Sequence, residues 1–165
     1  MEAIASWYES TLGSWMPKQI FVFLVSMVPL IELRGGLVIA RLLQMPFWQA
    51  NVFCIIGNIV PIPFILLFIR KIFAFMKAHN ILKKLVVKLE TRAAKKSKGA
   101  ERGEFAFLLG FVGIPLPGTG AWTGSLIASV MQYDIKKASL AIFLGILMAA
   151  AIIDILAYAL PGLIL

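Results

Sequence analysis

The sequence predicts an all-α integral membrane protein made of two inverted repeats, each a re-entrant broken hairpin followed by a transmembrane helix. Three observations predict it. Of the 165 residues, 61% are hydrophobic, whereas soluble domains hold about half or less. The net charge of +8 lies wholly between Arg70 and Glu104, where eleven Lys or Arg residues meet three Glu. The apolar stretch Phe105 to Gln132 is broken by Pro115, Pro117, Gly118, Gly120 and Gly124. A straight membrane helix is not written that way, because Pro removes a backbone donor and Gly weakens the helix. Broken backbone at membrane depth is tolerated where protein buries it or where it lines a polar cavity.

Residues 1–18 carry Trp7, Tyr8 and Trp15 with few aliphatics, which predicts a helix lying at the membrane interface. Ser6 to Glu9 fits a capping box. A positive n-region and a small-residue cleavage pattern, the marks of a secretory signal, are missing.

Residues 19–75 read as the first repeat. Gln19 to Ile31 would be about 20 Å long as a helix at 1.5 Å per residue, too short for a ~30 Å hydrocarbon core. Pro29, Glu32, Arg34, Gly35 and Gly36 interrupt the chain before a second short apolar run to Met45, so residues 20–45 read as a hairpin. Residues 50–70 are long enough to span, with a kink expected around Gly57, Asn58, Pro61 and Pro63.

Residues 76–104 form a basic loop, placed on the cytoplasmic side by the positive-inside bias. Within it Ile81 to Glu90 alternates apolar residues with Lys83, Lys84 and Lys88, an amphipathic helix suited to anionic headgroups. The basic block is read as membrane-facing rather than as a nucleic-acid site. Residues 105–165 make the second repeat: a hairpin over 105–133, a short charged loop, and a spanning helix over 138–162.

A shift of 88 residues lays the halves on each other. Pro29 meets Pro117, Gly36 meets Gly124, Ile39-Ala40 meets Ile127-Ala128, Gln44 meets Gln132, Ala50 meets Ala138 and Gly57 meets Gly145. If each hairpin returns to its own side, each repeat crosses the membrane once. The second hairpin then enters from the cytoplasm, and the hairpin tips approach each other near the midplane, as in transporters with broken helices. The competing arrangement has four full spans and puts Lys136 and Lys137 outside, against the charge bias.

Glu32 and Arg34 are the charged residues at the first tip. Ionised groups at membrane depth are costly and usually functional. Arg34 near the start of a returning half-helix suits an anion, and Glu32 suits a proton or a cationic substrate; the structural alternative is that the two neutralise each other or pair across the repeat to lock the hairpin. The second tip offers Thr119, Thr123, the amides of Gly118 and Gly120, and Trp122 as an aromatic wall. Asp154, alone in an apolar helix, is expected to carry a proton or to pair with Tyr158 or Arg34. Asn58 is expected to repair broken backbone. Pro29, Gly35, Gly36, Pro61, Pro63, Pro115, Pro117 and Gly124 are read as shaping and packing the hairpins. One Cys and one His exclude a disulfide framework and a usual zinc site. No cofactor, metal or enzyme activity is expected, since no hydrolytic constellation or nucleotide motif is present.

Glu32-Leu33-Arg34-Gly35-Gly36, GNIVPIPF at 57–64 and GIPLPGTGAWTG at 113–124 resemble the bacterial family of small multi-drug export proteins. The resemblance runs from about residue 20 onward and implies Glu32, Arg34 and the Pro115–Gly124 turn as a shared core. It also implies the bacterial inner membrane. The family is similar, more distantly, to the DedA (VTT-domain) membrane proteins, with opposed re-entrant hairpins and a link to lipid-phosphate movement. One departure is that this chain reads Leu37-Val38-Ile39 where relatives often carry a proline after the double glycine.

Three readings follow. The first is a small transporter of small or amphiphilic molecules, proton-coupled through Glu32 or Asp154. The second is a DedA-like flippase for an anionic lipid phosphate held by Arg34 and the hairpin amides. The third is a membrane assembly factor that transports nothing. The expected partners are the bilayer, a small-molecule or lipid-phosphate substrate and, because one bundle is thin for enclosing a path, a second copy of the chain.

Overall fold

The computed structural model describes residues 2–79, 101–116 and 118–156, and every described element is helical. The expected amphipathic helix at 81–90, Pro117, Tyr158 and the end of the last spanning helix lie outside the described residues.

Helix α1 covers Glu2–Thr11, shorter than the expected interfacial segment. It begins before Ser6, whose hydroxyl bonds to the Ala3 carbonyl, so the anticipated capping box does not form. Tyr8 anchors α1 inward: it is buried, stacks on Phe21 and bonds to the Met16 carbonyl. Trp7 and Trp15 point outward.

The first broken hairpin comprises α2 (Lys18–Met27) and α3 (Glu32–Leu42), joined by a turn at 28–31. Pro29 sits in that turn, where its missing N–H costs least. α3 runs unbroken through Leu37-Val38-Ile39. α4 (Phe47–Ile59) and α5 (Pro61–Ala78) follow, with the helix interrupted at Val60. Pro61 opens α5, the position at which proline is preferred. Together Phe47–Ile69 are long and apolar enough to cross a membrane, as are Ile135–Asp154. In the second half, α6 (Glu101–Gly113) and α7 (Ala121–Val130) flank the break at 114–120, and α8 spans Ile135–Asp154.

Local geometry recurs at the 88-residue shift. Leu43 N–H bonds to Ile39 at 2.9 Å, Gln44 to Arg41 at 2.9 Å and Met45 to Ala40 at 3.0 Å. In the second half Met131 bonds to Ile127 at 2.8 Å, Gln132 to Ser129 at 3.2 Å and Tyr133 to Ala128 at 2.9 Å. Gln44 and Gln132 both take left-handed backbone, φ 55° and 56°, which closes each helix in a Schellman-type end.

Packing follows the same plan. α2 lies along α4 and α6 along α8, while α3 reaches across to α8 and α7 to α5. Gly57 and Gly145 permit the first pair of contacts. A Cβ at Gly57 would run into the Phe23 carbonyl, and one at Gly145 would meet Val112 at 2.8 Å and the Leu109 carbonyl at 3.1 Å.

The distribution of polarity suits a lipid surround. Trp48, Phe64 and Phe68 face outward, whereas Ser26, Asn58, Ser125 and Ser129 are buried. With no water outside, polar groups gain by turning inward to one another.

Candidate functional site

The two helix breaks meet, and Glu32 and Arg34 join them. Breaking a helix leaves carbonyls without partners at one end and N–H groups without partners at the other. In an apolar surround each such group costs several kcal/mol unless something bonds to it, roughly speaking. The second break presents both kinds of end to α3.

Arg34 takes the carbonyl end. Its guanidinium donates to the carbonyls of Leu116, Val112 (3.4 Å) and Ile114 (3.2 Å), and to Thr119 Oγ1 at 3.0 Å. The Thr119 hydroxyl in turn donates a hydrogen bond to the Ile114 or Leu116 carbonyl, at 3.0 and 2.9 Å. A cation at a helix C-terminus also meets the negative end of the helix dipole. Arg34 therefore caps α6.

Glu32 takes the amide end. Its Oε1 accepts the backbone N–H of Trp122 at 3.2 Å, and the Ala121 N–H faces the same carboxylate. An anion at a helix N-terminus is the favourable sign. Glu32 is only 6% exposed. It reaches this place with left-handed backbone, φ 52°, a conformation that costs a non-glycine residue about 1–2 kcal/mol. Gly120 makes room for it, since a Cβ there would fall on the Glu32 carboxylate.

Of the two structural alternatives, neutralising each other or pairing across the repeat to lock the hairpin, the hydrogen bonds run the second way. Their hydrogen bonds go to the opposite hairpin. Trp122 returns the contact: its indole N–H donates to the Met27 carbonyl at 3.0 Å, at the end of α2. It acts as a tie between hairpins and not as a cavity wall.

Between the tips lies a cavity of about 320 Å³. Glu32, Arg34, Gly118, Thr119 and Thr123 supply its polar lining, and Pro29, Gly35 and Pro115 contribute to its walls. Gly118 turns the chain there with φ 79°, a region open to glycine. Leu30 and Leu116 form an apolar rim, and Leu30 is 96% exposed, so the cavity is open rather than sealed.

Asp154 is not part of this cavity. It faces Asn51 across α4, not Arg34, and its Oδ1 is buried without a hydrogen-bond partner. Asn58 is buried, and its Oδ1 has no hydrogen-bond partner. It stands behind Glu32 and Arg34 in a smaller crevice shared with Gly120 and Ile146. Sequence reasoning missed Ser26, Asn51 and Cys54, which are buried beside these groups. The spacing of Asn51, Cys54 and Asn58 along one face of an apolar helix is the signal that marks them.

The model of the family described as "Putative small multi-drug export protein" matches residues 32–152. No curated protein and no solved structure matches the chain.

Proposed function

Because the chain belongs to the small multi-drug export family, broadly a class of membrane transporters and not of enzymes, we propose that it moves small amphiphilic molecules through the cavity between its two hairpin tips. The observation that carries this reading is the pair of caps. Glu32 and Arg34 are both charged, both set in apolar sequence, and both tie one helix break to the other at the edge of an open cavity.

In this reading the hairpins are re-entrant and the repeats inverted. At 1.5 Å per residue α2, α3 and α7 are about 15–16 Å long and α6 about 20 Å, all short of a ~30 Å core. The matching helix ends at the 88-residue shift support two copies of one unit.

The caps suggest how the site works. With Glu32 ionised and Arg34 on the α6 carbonyls, the tips are held together. A proton or a cationic substrate arriving at Glu32 weakens its hold on the start of α7, and the second hairpin is freed to shift. A ligand entering past Leu30 meets apolar walls first and the carboxylate last, which suits an amphiphilic cation. Arg34 already has carbonyl partners, so a lipid phosphate would have to displace them. We therefore place the exporter reading ahead of the flippase reading.

The test uses purified protein in liposomes. Wild type, Glu32→Gln and Arg34→Gln are compared for movement of a lipophilic cationic dye driven by a pH gradient and, separately, for movement of a polyprenyl phosphate. The exporter reading expects dye movement that Glu32→Gln abolishes. Lipid-phosphate movement lost in Arg34→Gln, with no dye movement, would replace it by the flippase reading. If folded protein moves neither, the role is assembly.

A further inference from the structure

Most of the polar side chains that line the cavity are held by the protein itself. Glu32 accepts the Trp122 N–H at 3.2 Å. Arg34 is bound to carbonyls and to Thr119 Oγ1, and the Thr119 hydroxyl donates onward to a carbonyl of the break. Thr123 lines the same cavity and is half-buried. Among the described residues nothing bonds to its hydroxyl.

The other hydroxyls of α7 behave differently. Ser125 Oγ donates to the Ala121 carbonyl at 2.6 Å, and Ser129 Oγ to the Leu66 carbonyl at 3.5 Å. Ser and Thr inside a helix can bond back to the carbonyl four residues earlier, as Ser125 does. For Thr123 that residue is Thr119, which lies before the start of α7, in the break. No such bond forms there, and the hydroxyl is left to the cavity. In an apolar surround an unpartnered hydroxyl costs free energy, which a ligand's hydrogen bond offsets. A hydroxyl also rotates its hydrogen to suit a partner, so its lone pairs are free to accept.

Thr123 directly follows Trp122, whose N–H the Glu32 carboxylate holds. The open hydroxyl and the carboxylate therefore meet at one helix end, and both line one cavity. Pro29, Leu30 and Leu116 add apolar lining. At about 320 Å³ the space lies at the small end of ligand pockets, roughly 300–1,000 Å³. A small ligand with one polar head suits it.

We infer that Thr123 is the specificity-determining residue of this cavity, and that it selects amphiphilic cations bearing an ammonium N–H over quaternary ones. The inference rests on the transport reading for the ligand's cationic character and names a class within it, protonated amines. The ammonium N–H bonds to Thr123 Oγ1, its charge faces the Glu32 carboxylate, and its apolar remainder lies against Pro29, Leu30 and Leu116. A quaternary ammonium brings the same charge and the same apolar body but no hydrogen to donate. Thr123 gains nothing from it.

A matched pair of probes tests this on the full chain: phenylbutylammonium and its quaternary counterpart phenylbutyl-trimethylammonium, alike in charge and tail. Binding of each to purified protein in detergent is measured by equilibrium dialysis for wild type, Thr123→Val and Thr123→Ser. Thr123→Val should weaken the protonated amine by about tenfold, in line with a hydrogen bond to a charged group, and the quaternary probe by less than about twofold. Thr123→Ser keeps the hydroxyl and should leave both close to wild type. Should Thr123→Val not fold, Thr123→Ala removes the same hydroxyl and is read in the same way. Equal weakening of both probes, as a mere packing role would give, overturns the proposal. So does weakening of neither, or a wild type that binds neither. In liposomes Thr123→Val should raise KM for the protonated amine and leave turnover little changed, the mark of a lost binding contact; a fall in turnover at constant KM overturns the assignment. Binding that depends on Thr123 without movement across the membrane removes the transport reading and leaves the selectivity of the site standing.

Discussion

Arg34 and Trp122 stand 88 residues apart, at matching places near the starts of α3 and α7, and each sends a side-chain N–H to the carbonyl end of the other hairpin's first helix. The exchange is mutual but unequal. Arg34 brings charge and a planar fork to several carbonyls, and Trp122 brings one neutral donor to Met27. Arg34→Gln should therefore destabilise the protein by roughly 2 kcal/mol or more, and Trp122→Phe by about 1 kcal/mol, in line with charged and neutral hydrogen bonds. Arg34→Lys should recover less than half of the loss, because an ammonium lacks the fork. Thermal unfolding in detergent checks the order. Equal losses for Arg34→Gln and Trp122→Phe would contradict it.

Glu32 and Gly120 should prove energetically coupled. A methyl group at Gly120 would occupy the place of the Glu32 carboxylate, so Gly120→Ala should cost about 1–3 kcal/mol, as overpacking does. In a Glu32→Ala background the methyl group finds space, and the same change should cost under half as much. Residues in contact depart from additivity in this way. Strict additivity in the double-mutant cycle would mean that the carboxylate does not sit over Gly120.

Much of this was legible in the sequence. Composition, charge block and proline-glycine punctuation gave the helical class, the breaks near Pro29 and Pro115, and two helices long and apolar enough to span. They also pointed to Glu32, Arg34, Gly118, Thr119 and Thr123, which line one cavity. What could not be read was direction. Sequence shows that Arg34 is a charge in apolar surroundings, but the carbonyls that hold it, at and just past the end of α6, come from backbone 78–82 residues away. Trp122 was misread for the same reason, since its indole could as well have lined the cavity as tied α7 to α2. Asn51 and Cys54 were passed over because in a spanning helix their polarity is mild beside that of an Asp.

Glycines in the two halves should separate into those that set helix contact and those that do not. Gly57→Ala would press a methyl group on the Phe23 carbonyl, a backbone atom that cannot turn aside. It should destabilise by about 1–3 kcal/mol. Among the described residues Gly110 has nothing within 4 Å of where its Cβ would lie, so Gly110→Ala should be neutral or stabilising by up to about 1 kcal/mol through helix propensity. A matching loss at Gly110 would show that α6 packs on something beyond the described residues.

Gln44 offers a stabilising change. It is exposed and holds left-handed backbone at the end of α3, where glycine carries no steric penalty. Gln44→Gly should add about 1 kcal/mol, by the cost of that region for other residues. Unfolding midpoints measured beside Gln49→Gly, inside the first turn of α4, supply the control. There the same change should be destabilising by about 1 kcal/mol.

The inverted arrangement makes a prediction about sides that four full spans do not share. Trp48 and Lys136 are exposed, lie at the starts of α4 and α8, and match at the 88-residue shift. If the hairpins are re-entrant, the first returns to the outer face and the second to the inner face, so the two positions lie on opposite sides. With four full spans both would lie outside. In a Cys54→Ser background, Trp48→Cys should react with a membrane-impermeant maleimide added to intact cells, and Lys136→Cys only after the membrane is opened. Labelling of both positions from outside would replace two re-entrant hairpins with two extra crossings. The caps on Glu32 and Arg34 would then join bent spans and not the tips of opposed hairpins.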